Sequence, residues 1–393
     1  MSETPIPQEQ AVETLTGRRS LSIGLPKATA RGERRFPLTP EGAAMLVERG
    51  FTVLIERGAA ECIHFADEAY ARLGARIVER PEALGADVVL YLPAIEVEDI
   101  AMLKPGGALL TLQHSESRST EAVRTLLDRR TITIALDLIT NSRNRLPVAD
   151  VLREVDGRAA MAIASSLLAD PLLGKGILLG GVAGVVPCEV TIIGSDIAAI
   201  AAARTAVGLG ATVRLFDDDV YSLREAVERL NGGNAPVIAS ALHPRVIASA
   251  LHTADIVIVT NPNASLSINS DMDMKRGVIA FDLTNSRRHS IFPSLERIDL
   301  AEACAGVHGR DALAACYVNA GSAVPRTAAM ALSTTLLYLA DAILPPEGIV
   351  NALRFDAGLR RAALTFGGKA VNDDIARIAG CRVLDINLLL QFQ

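Results

Sequence analysis

From Leu21 onward, short and nearly continuous apolar runs rich in β-branched residues alternate with stretches whose apolar positions recur at helical spacing. The runs LSIGL (21–25), FTVLIE (51–56), ARIVE (75–79), DVVLYL (87–92), ALLTL (108–112) and TITIALDL (131–138) predict strands. Helix-length segments separate most of them, which demands parallel pairing. Residues 20–140 therefore read as one doubly wound α/β unit. Thr39 followed by Pro40 marks a helix start, because a threonine side chain caps the first free amides and proline suits the first helical position.

A long helical stretch at 147–170 leads into a second series of the same kind: EVTIIG, an Ala-rich helix, ATVRLFDDD, the helix YSLREAVERL, then PVIAS, ADIVIVT and GVIAFDLT. This is Rossmann-like order. Beyond Ala305 the pattern becomes helical again, and the chain is expected to return to the first unit. The fold expected is α/β, two Rossmann-like doubly wound parallel-sheet domains with an interdomain cleft. A polar leader would occupy 1–19, a discontinuous substrate domain 20–155 plus 325–393, and a nucleotide-binding domain 156–324.

Composition narrows the function. A chain of 393 residues, half of them hydrophobic, can bury a substantial core. A net charge of −6 without a basic stripe gives no footprint for a nucleic acid backbone. The leader lacks the basic-then-apolar order of an export signal, and the five scattered cysteines fit reduced thiols in the cytoplasm and offer no metal cluster. The most apolar run, 177–193, carries three glycines, Pro187 and Glu189, so it reads as loop plus buried strand rather than a membrane span.

The candidate chemistry starts at TIIGSDIAAIAAA, 191–203, where a strand runs into a helix. A dinucleotide fingerprint places glycines here so that a pyrophosphate can approach the amides at the helix N-terminus. Gly194 supplies the first, but Asp196 stands at the middle position and Ala199 at the third. A carboxylate obstructs and repels phosphate, yet it also caps a helix well. Asp217 lies 23 residues after Gly194, at the end of the next strand, where an acid would hold ribose hydroxyls; the plainer alternative is a solvated turn Asp217-Asp218-Asp219. Gly194, Ser195, Asp196, Ala198, Ala199 and Asp217 are thus the candidate cofactor contacts. DLITNSR (137–143) and DLTNSR (282–287) also echo each other, as two similar strand ends facing one crevice would.

Several segments together resemble the alanine dehydrogenase and transhydrogenase α-subunit family: GERRFPLTPEGAAMLVERGFTVLIERGA, LLGKGILLGGVAGVVPCEVTIIG and CYVNAGSAVPRTAAMAL, the last with Gly321 where the family has a proline. The resemblance implies two Rossmann-like domains, the first built from both chain ends, and NAD-dependent oxidative deamination of a small L-amino acid, L-alanine to pyruvate. It implies Arg35 as the clamp on the substrate carboxylate, His114 as the general acid/base and Asn319 as a further substrate contact. A small 2-oxo acid or amino acid would be the ligand, and a homo-oligomer the assembly, with neither nucleic acid nor membrane as partner.

Departures from the family pattern are equally concrete. The family's strand-end K-V-K is replaced by Tyr91-Leu92-Pro93, the aspartate after the last nucleotide-domain strand by Ser286 with Arg287 beside it, and the serine of M-S-E-V-x-G-R by Arg153. Arg153 or Arg287 would offset Asp196 or stand in for the lysine. Three readings stay open at this point: an NAD-dependent amino-acid dehydrogenase, a catalytically lapsed relative that binds ligand or serves structurally, and a transhydrogenase-like or amino-acid-condensing reductase.

Overall fold

The computed structural model describes residues 21–29, 33–114, 116–172, 174–231, 237–261, 274–284, 291–302, 315–345 and 348–391. Its first domain is built on β1 (Ser22–Leu25), β2 (Thr52–Glu56), β3 (Arg76–Val78), β4 (Val88–Leu90), β5 (Ala108–Thr111) and β6 (Ile132–Ala135). The second is built on β7 (Glu189–Ile193), β8 (Thr212–Asp217), β9 (Val237–Ala241), β10 (Ile256–Val259), β11 (Ile279–Asp282), β12 (Glu296–Asp299) and β13 (Ala315–Val318). Two further strands, β14 (Ala363–Phe366) and β15 (Lys369–Ala370), extend the first sheet.

Among the described residues the first sheet runs β15-β14-β6-β5-β4-β1-β2-β3 and the second β12-β13-β11-β10-β7-β8-β9. Pairing is parallel throughout the second sheet and from β1 to β6 in the first. β14 and β15 join antiparallel. Strand order therefore reverses between β1 and β4 in one sheet and between β7 and β10 in the other. At such points the chain leaves neighbouring strands toward opposite faces and opens a crevice beyond their C-terminal ends. These two crevices hold the candidate site residues.

Local chemistry explains the framework. Thr39 Oγ1 accepts from Gly42 N–H at 3.2 Å and Pro40 opens the helix Pro40–Glu48 as the sequence predicts. The 23-residue helix Pro147–Ala169 links the domains: Val148 and Leu152 belong to the first core, Ala160, Met161 and Ala164 to the second. It lies against the helix Ile197–Gly208 so closely that a Cβ on Gly157 would come within 2.1 Å of Ala198 O. The helix Pro325–Ile343 returns Leu332, Leu336 and Ile343 to the first core.

The region beyond Ala305, read from sequence as helical, also contains β13, β14 and β15. These strands have two to four residues, too short to display a period, and β14 is framed by helices that dominate the local pattern. Among the described residues no helix is long and apolar enough to cross a membrane.

Candidate active site

The first crevice brings together two of the residues singled out by sequence. Arg35 follows β1 on a loop, and His114 lies three residues beyond the end of β5. Arg35 directs Nε (2.8 Å) and Nη2 (2.6 Å) to the two oxygens of Glu33, and its own N–H reaches Glu33 Oε1 at 2.8 Å. Only 12% of the Arg35 side chain and 7% of the Glu33 side chain are exposed, so this pair is largely withdrawn from water. Burial opposes both charges, but each outweighs it for the other: Arg35 holds the Glu33 carboxyl below its ordinary range, and Glu33 holds the guanidinium above its own. The Nη1 end of the guanidinium is not used by Glu33.

His114 has φ +47°, a left-handed conformation unusual for a residue with a side chain. Its carbonyl accepts from Ser117 N–H and Arg118 N–H, while Arg118 reaches back to the carbonyls of Gln113 (3.0 Å) and Leu112 (2.8 Å). The imidazole Nε2 lies 2.6 Å from Leu92 O. A carbonyl can only accept, so Nε2 carries the hydrogen in the neutral ring and Nδ1 is left as an acceptor. Burial, with Arg118 and Arg35 nearby, pushes the His114 pKa down to about 4 against the raising effect of the Leu92 carbonyl. The ring is neutral at pH 7.

The stretch Tyr91-Leu92-Pro93, where the family has its K-V-K, is built into the wall of this crevice. Tyr91 is buried with its hydroxyl 3.3 Å from Thr29 Oγ1, Leu92 supplies the carbonyl under His114, and Pro93 O accepts from Thr111 Oγ1 at 3.1 Å. It presents backbone to the histidine and no ammonium.

Sequence reasoning did not single out Glu33, Asp156 or Ser322. Asp156 is 4% exposed and its Oδ1 accepts from Gly321 N–H at 2.8 Å; Ser322 Oγ donates to Glu33 Oε1 at 3.2 Å. Burial pushes the Asp156 carboxyl up, against the pull of Arg35 and Arg153. Gly321 is intelligible here, because a proline at 321 has no N–H to give and a Cβ there would lie 2.4 Å from Asp156 Oδ1. A signal for Asp156 was present: it stands four residues after Leu152 and four before Ala160, so a carboxylate sits on the buried stripe of its helix. Asn319, also left-handed at φ +59°, lies just beyond β13 and donates from Nδ2 to Asp299 Oδ1 at 3.3 Å, so the contact described for it lies at the edge of the second sheet.

The second crevice collects the remaining candidates. Gly194 has φ +119°, and a Cβ on it would strike Thr260 Oγ1 at 2.2 Å, so the first glycine of the fingerprint is a steric necessity. Asp196 caps the helix Ile197–Gly208, Oδ1 accepting from Ala199 N–H at 3.0 Å, and its other oxygen takes Arg153 Nη2. Ala198 and Ala199 are wholly buried beneath the turn. Asp217 is 4% exposed rather than part of a solvated turn: Ser195 Oγ donates to its Oδ2 at 2.6 Å and Asp219 N–H to its Oδ1 at 2.9 Å. Ser195, Asp196, Asp217, Asn261 and Arg229 line an open groove of about 280 Å³. Ser286 and Arg287 lie outside the described residues.

A dinucleotide can be tested against this groove. The adenosine half has its place, since the groove lies between the turn after β7 and the acid ending β8. The diphosphate half meets a cap carboxylate in place of a glycine, but that carboxylate is paired with a guanidinium. The residues present therefore fit the group, through a charge arrangement unlike a glycine cradle.

Comparison with known proteins assigns the lineage. The family described as "Alanine dehydrogenase/PNT, N-terminal domain" matches residues 24–155, and "Alanine dehydrogenase/PNT, C-terminal domain" matches 160–373. The chain belongs to the alanine dehydrogenase/PNT family. It is 31% identical to an alanine dehydrogenase of Staphylococcus saprophyticus over 377 residues, covering 94% of this chain and all of that protein. It is 31% identical to an alanine dehydrogenase of Bacillus subtilis, over 94% of this chain and 97% of the relative. Among solved structures it resembles an L-alanine dehydrogenase with TM-score 0.76 and 25% identity, covering 91% of this chain and 99% of that one. A transhydrogenase from Sinorhizobium meliloti shares the fold with TM-score 0.72 and 21% identity, over 89% of this chain and all of the other. Its second domain thus has a Rossmann-type nucleotide-binding fold consistent with NAD use.

Proposed function

We propose that this chain is an NAD-dependent oxidoreductase acting on a small amino acid or its 2-oxo acid, alanine and pyruvate being the simplest pair. The observation that carries the reading is the second crevice. Its groove ends on a buried acid, Asp217, and the one carboxylate that would repel a diphosphate, Asp196, is paired with Arg153. Gly194, Ser195 and Asp217 would hold the nucleotide; Ala198 and Ala199, expected from the sequence as contacts, are wholly buried and the Ala199 amide is taken by Asp196, so they shape the turn from beneath instead.

In the first crevice Glu33 fixes Arg35 in one orientation, leaving the Nη1 end to meet a substrate carboxylate as a planar two-point contact. His114, neutral and with Nδ1 as the acceptor, would take the proton released from the substrate amine or from water and pass it on, its lowered pKa favouring release. Bound NAD supplies the hydride acceptor. Asn319 would face the substrate from the edge of the second domain.

The test is a thermal-shift titration with NAD, NADH, NADP and NADPH, followed by pyruvate with ammonium. A ligand of the folded state at ~100 times its dissociation constant adds about 2.7 kcal/mol. NADH should raise the melting temperature, and Arg35→Ala should abolish the extra protection by pyruvate. No shift with millimolar nucleotide rules the reading out.

A second reading has its own support: Pro93 where the family has a lysine, and Arg35 already gripping Glu33. It makes the chain a lapsed enzyme that still binds ligand. NADH protection without turnover of pyruvate, glyoxylate or 2-oxobutyrate would favour it.

A further inference from the structure

Arg153 occupies the second turn of the helix Pro147–Ala169, on the segment by which the chain passes from one domain to the next. Its guanidinium spans the crevice of the other domain. Nη2 donates to Asp196, in the turn after β7, and to Thr260 O at the end of β10 (2.6 Å), while Nη1 donates to Leu283 O just beyond β11 (2.6 Å). These strand ends border the point where strand order reverses, the place at which a nucleotide diphosphate lies in this class of sheet. The Arg153 side chain is 22% exposed and that of Asp196 34%, so the pair is open to a ligand rather than sealed.

Two features make the pairing more than neutralisation. The Ala199 amide, which a glycine turn would offer to phosphate, is already satisfied by Asp196 Oδ1. The backbone therefore has less to give an anion here than an uncapped helix start. Arg153 reaches the groove through Asp196, and the two arginines that line the groove itself, Arg145 and Arg229, both approach Glu225. Among the described residues that leaves Arg153 as the cation at the turn itself, held against two carbonyls by a carboxylate that a phosphate can replace, because a phosphate oxygen accepts the same charge-assisted bonds.

Resting on the NAD reading above, we propose that Arg153 is the diphosphate-contacting cation of this chain and that Asp196 is its resting-state partner, exchanged for phosphate when the nucleotide binds. The glycine cradle is thereby replaced by an arginine handed from carboxylate to phosphate.

The experiment measures NADH affinity of the full chain by fluorescence titration for wild type, Arg153→Ala, Asp196→Gly and the double variant. Adenosine, which lacks the diphosphate, is titrated by calorimetry as a control. Asp196→Gly should tighten NADH binding. The decisive arm is Arg153→Ala in the Asp196→Gly background, where there is no carboxylate left to neutralise. A contacting arginine predicts a further loss of about tenfold there, the size of one charge-assisted hydrogen bond, with adenosine binding unchanged. If Arg153 only offsets Asp196, the double variant binds NADH as tightly as Asp196→Gly, and the proposal is overturned. Should the alanine variant not fold, Arg153→Gln keeps a polar side chain without the charge and gives the same comparison. Absence of NADH binding by wild type and Asp196→Gly alike, with both folded, overturns the NAD reading itself. Binding by both with no effect of Arg153 overturns this inference alone.

Discussion

Single side chains in the first crevice set measurable properties of the whole protein. His114 is pushed down to about 4 by burial, whereas an exposed histidine in the unfolded chain titrates near 6.5. Between those values the unfolded state binds more protons than the native one, so stability falls as pH drops from about 6.5 toward 4, by at most about 1.4 kcal/mol per pH unit from this residue. Urea denaturation at pH 6.5, 5.5 and 4.5 checks this: His114→Asn should flatten that part of the profile. The pair Asp156 and Gly321 gives a second test. Gly321→Pro removes the N–H that Asp156 Oδ1 accepts and crowds a carboxylate that is 4% exposed. It should cost about 3 kcal/mol, and adding Asp156→Ala should recover at least about 1 kcal/mol of it, since the two positions share one contact. Strict additivity in denaturant midpoints would show that the glycine and the aspartate are unrelated. Gly321 was visible in the sequence as a departure, but its reason was not. The hydrogen bond joins positions 165 residues apart, and nothing local announces such a partner.

At the scale of elements, the contact between Pro147–Ala169 and Ile197–Gly208 decides whether Arg153 and Asp196 can meet. Gly157 permits the approach, for a Cβ there would sit 2.1 Å from the backbone oxygen of Ala198, which cannot rotate away. Gly157→Ala should therefore destabilise by about 2–3 kcal/mol, as overpacking of a close helix pair does. Gly208→Ala, near the end of the second helix with nothing within 4 Å of the added carbon, should be neutral or stabilise by up to about 1 kcal/mol. Melting curves of the two variants make the comparison; equal shifts would mean the helices separate at no cost. Strands β1 to β11 were legible because parallel strands are buried on both faces and read as continuous apolar runs, as in IVIV of β10, whereas β12 and β13 of the second sheet were not read. β14 was not legible, since a four-residue run such as ALTF looks the same inside a helix as in a strand. The site was legible only in part. Arg35 and His114 stand in motifs, whereas Glu33 and Ser322 acquire meaning through the fold that places them 3.2 Å apart.

For the molecule as a whole, the segment between the linking helix and β7 carries an apolar surface that the described chain does not cover. Leu178 is 65% exposed, Val182 61%, Val185 60% and Val186 87%, and Val182 pairs with Val185 across a small hairpin that presents them together. The run 177–193 resolves here into loop plus strand, with the strand buried and the loop outward. Four exposed large aliphatic side chains fall within nine residues, a concentration that points to an interaction surface. A homo-oligomer, the assembly that family resemblance implies, would use it. Val185→Asp with Val186→Asp should then reduce the mass seen by light scattering, because two carboxylates in an apolar contact are desolvated without partners. The ligand-free melting temperature should fall with that dissociation and become dependent on protein concentration. If wild type is already a monomer at micromolar concentration, or if the double variant keeps the wild-type mass, the hairpin is not the contact. The exposed valines would then call for an occupant other than a second copy of this chain.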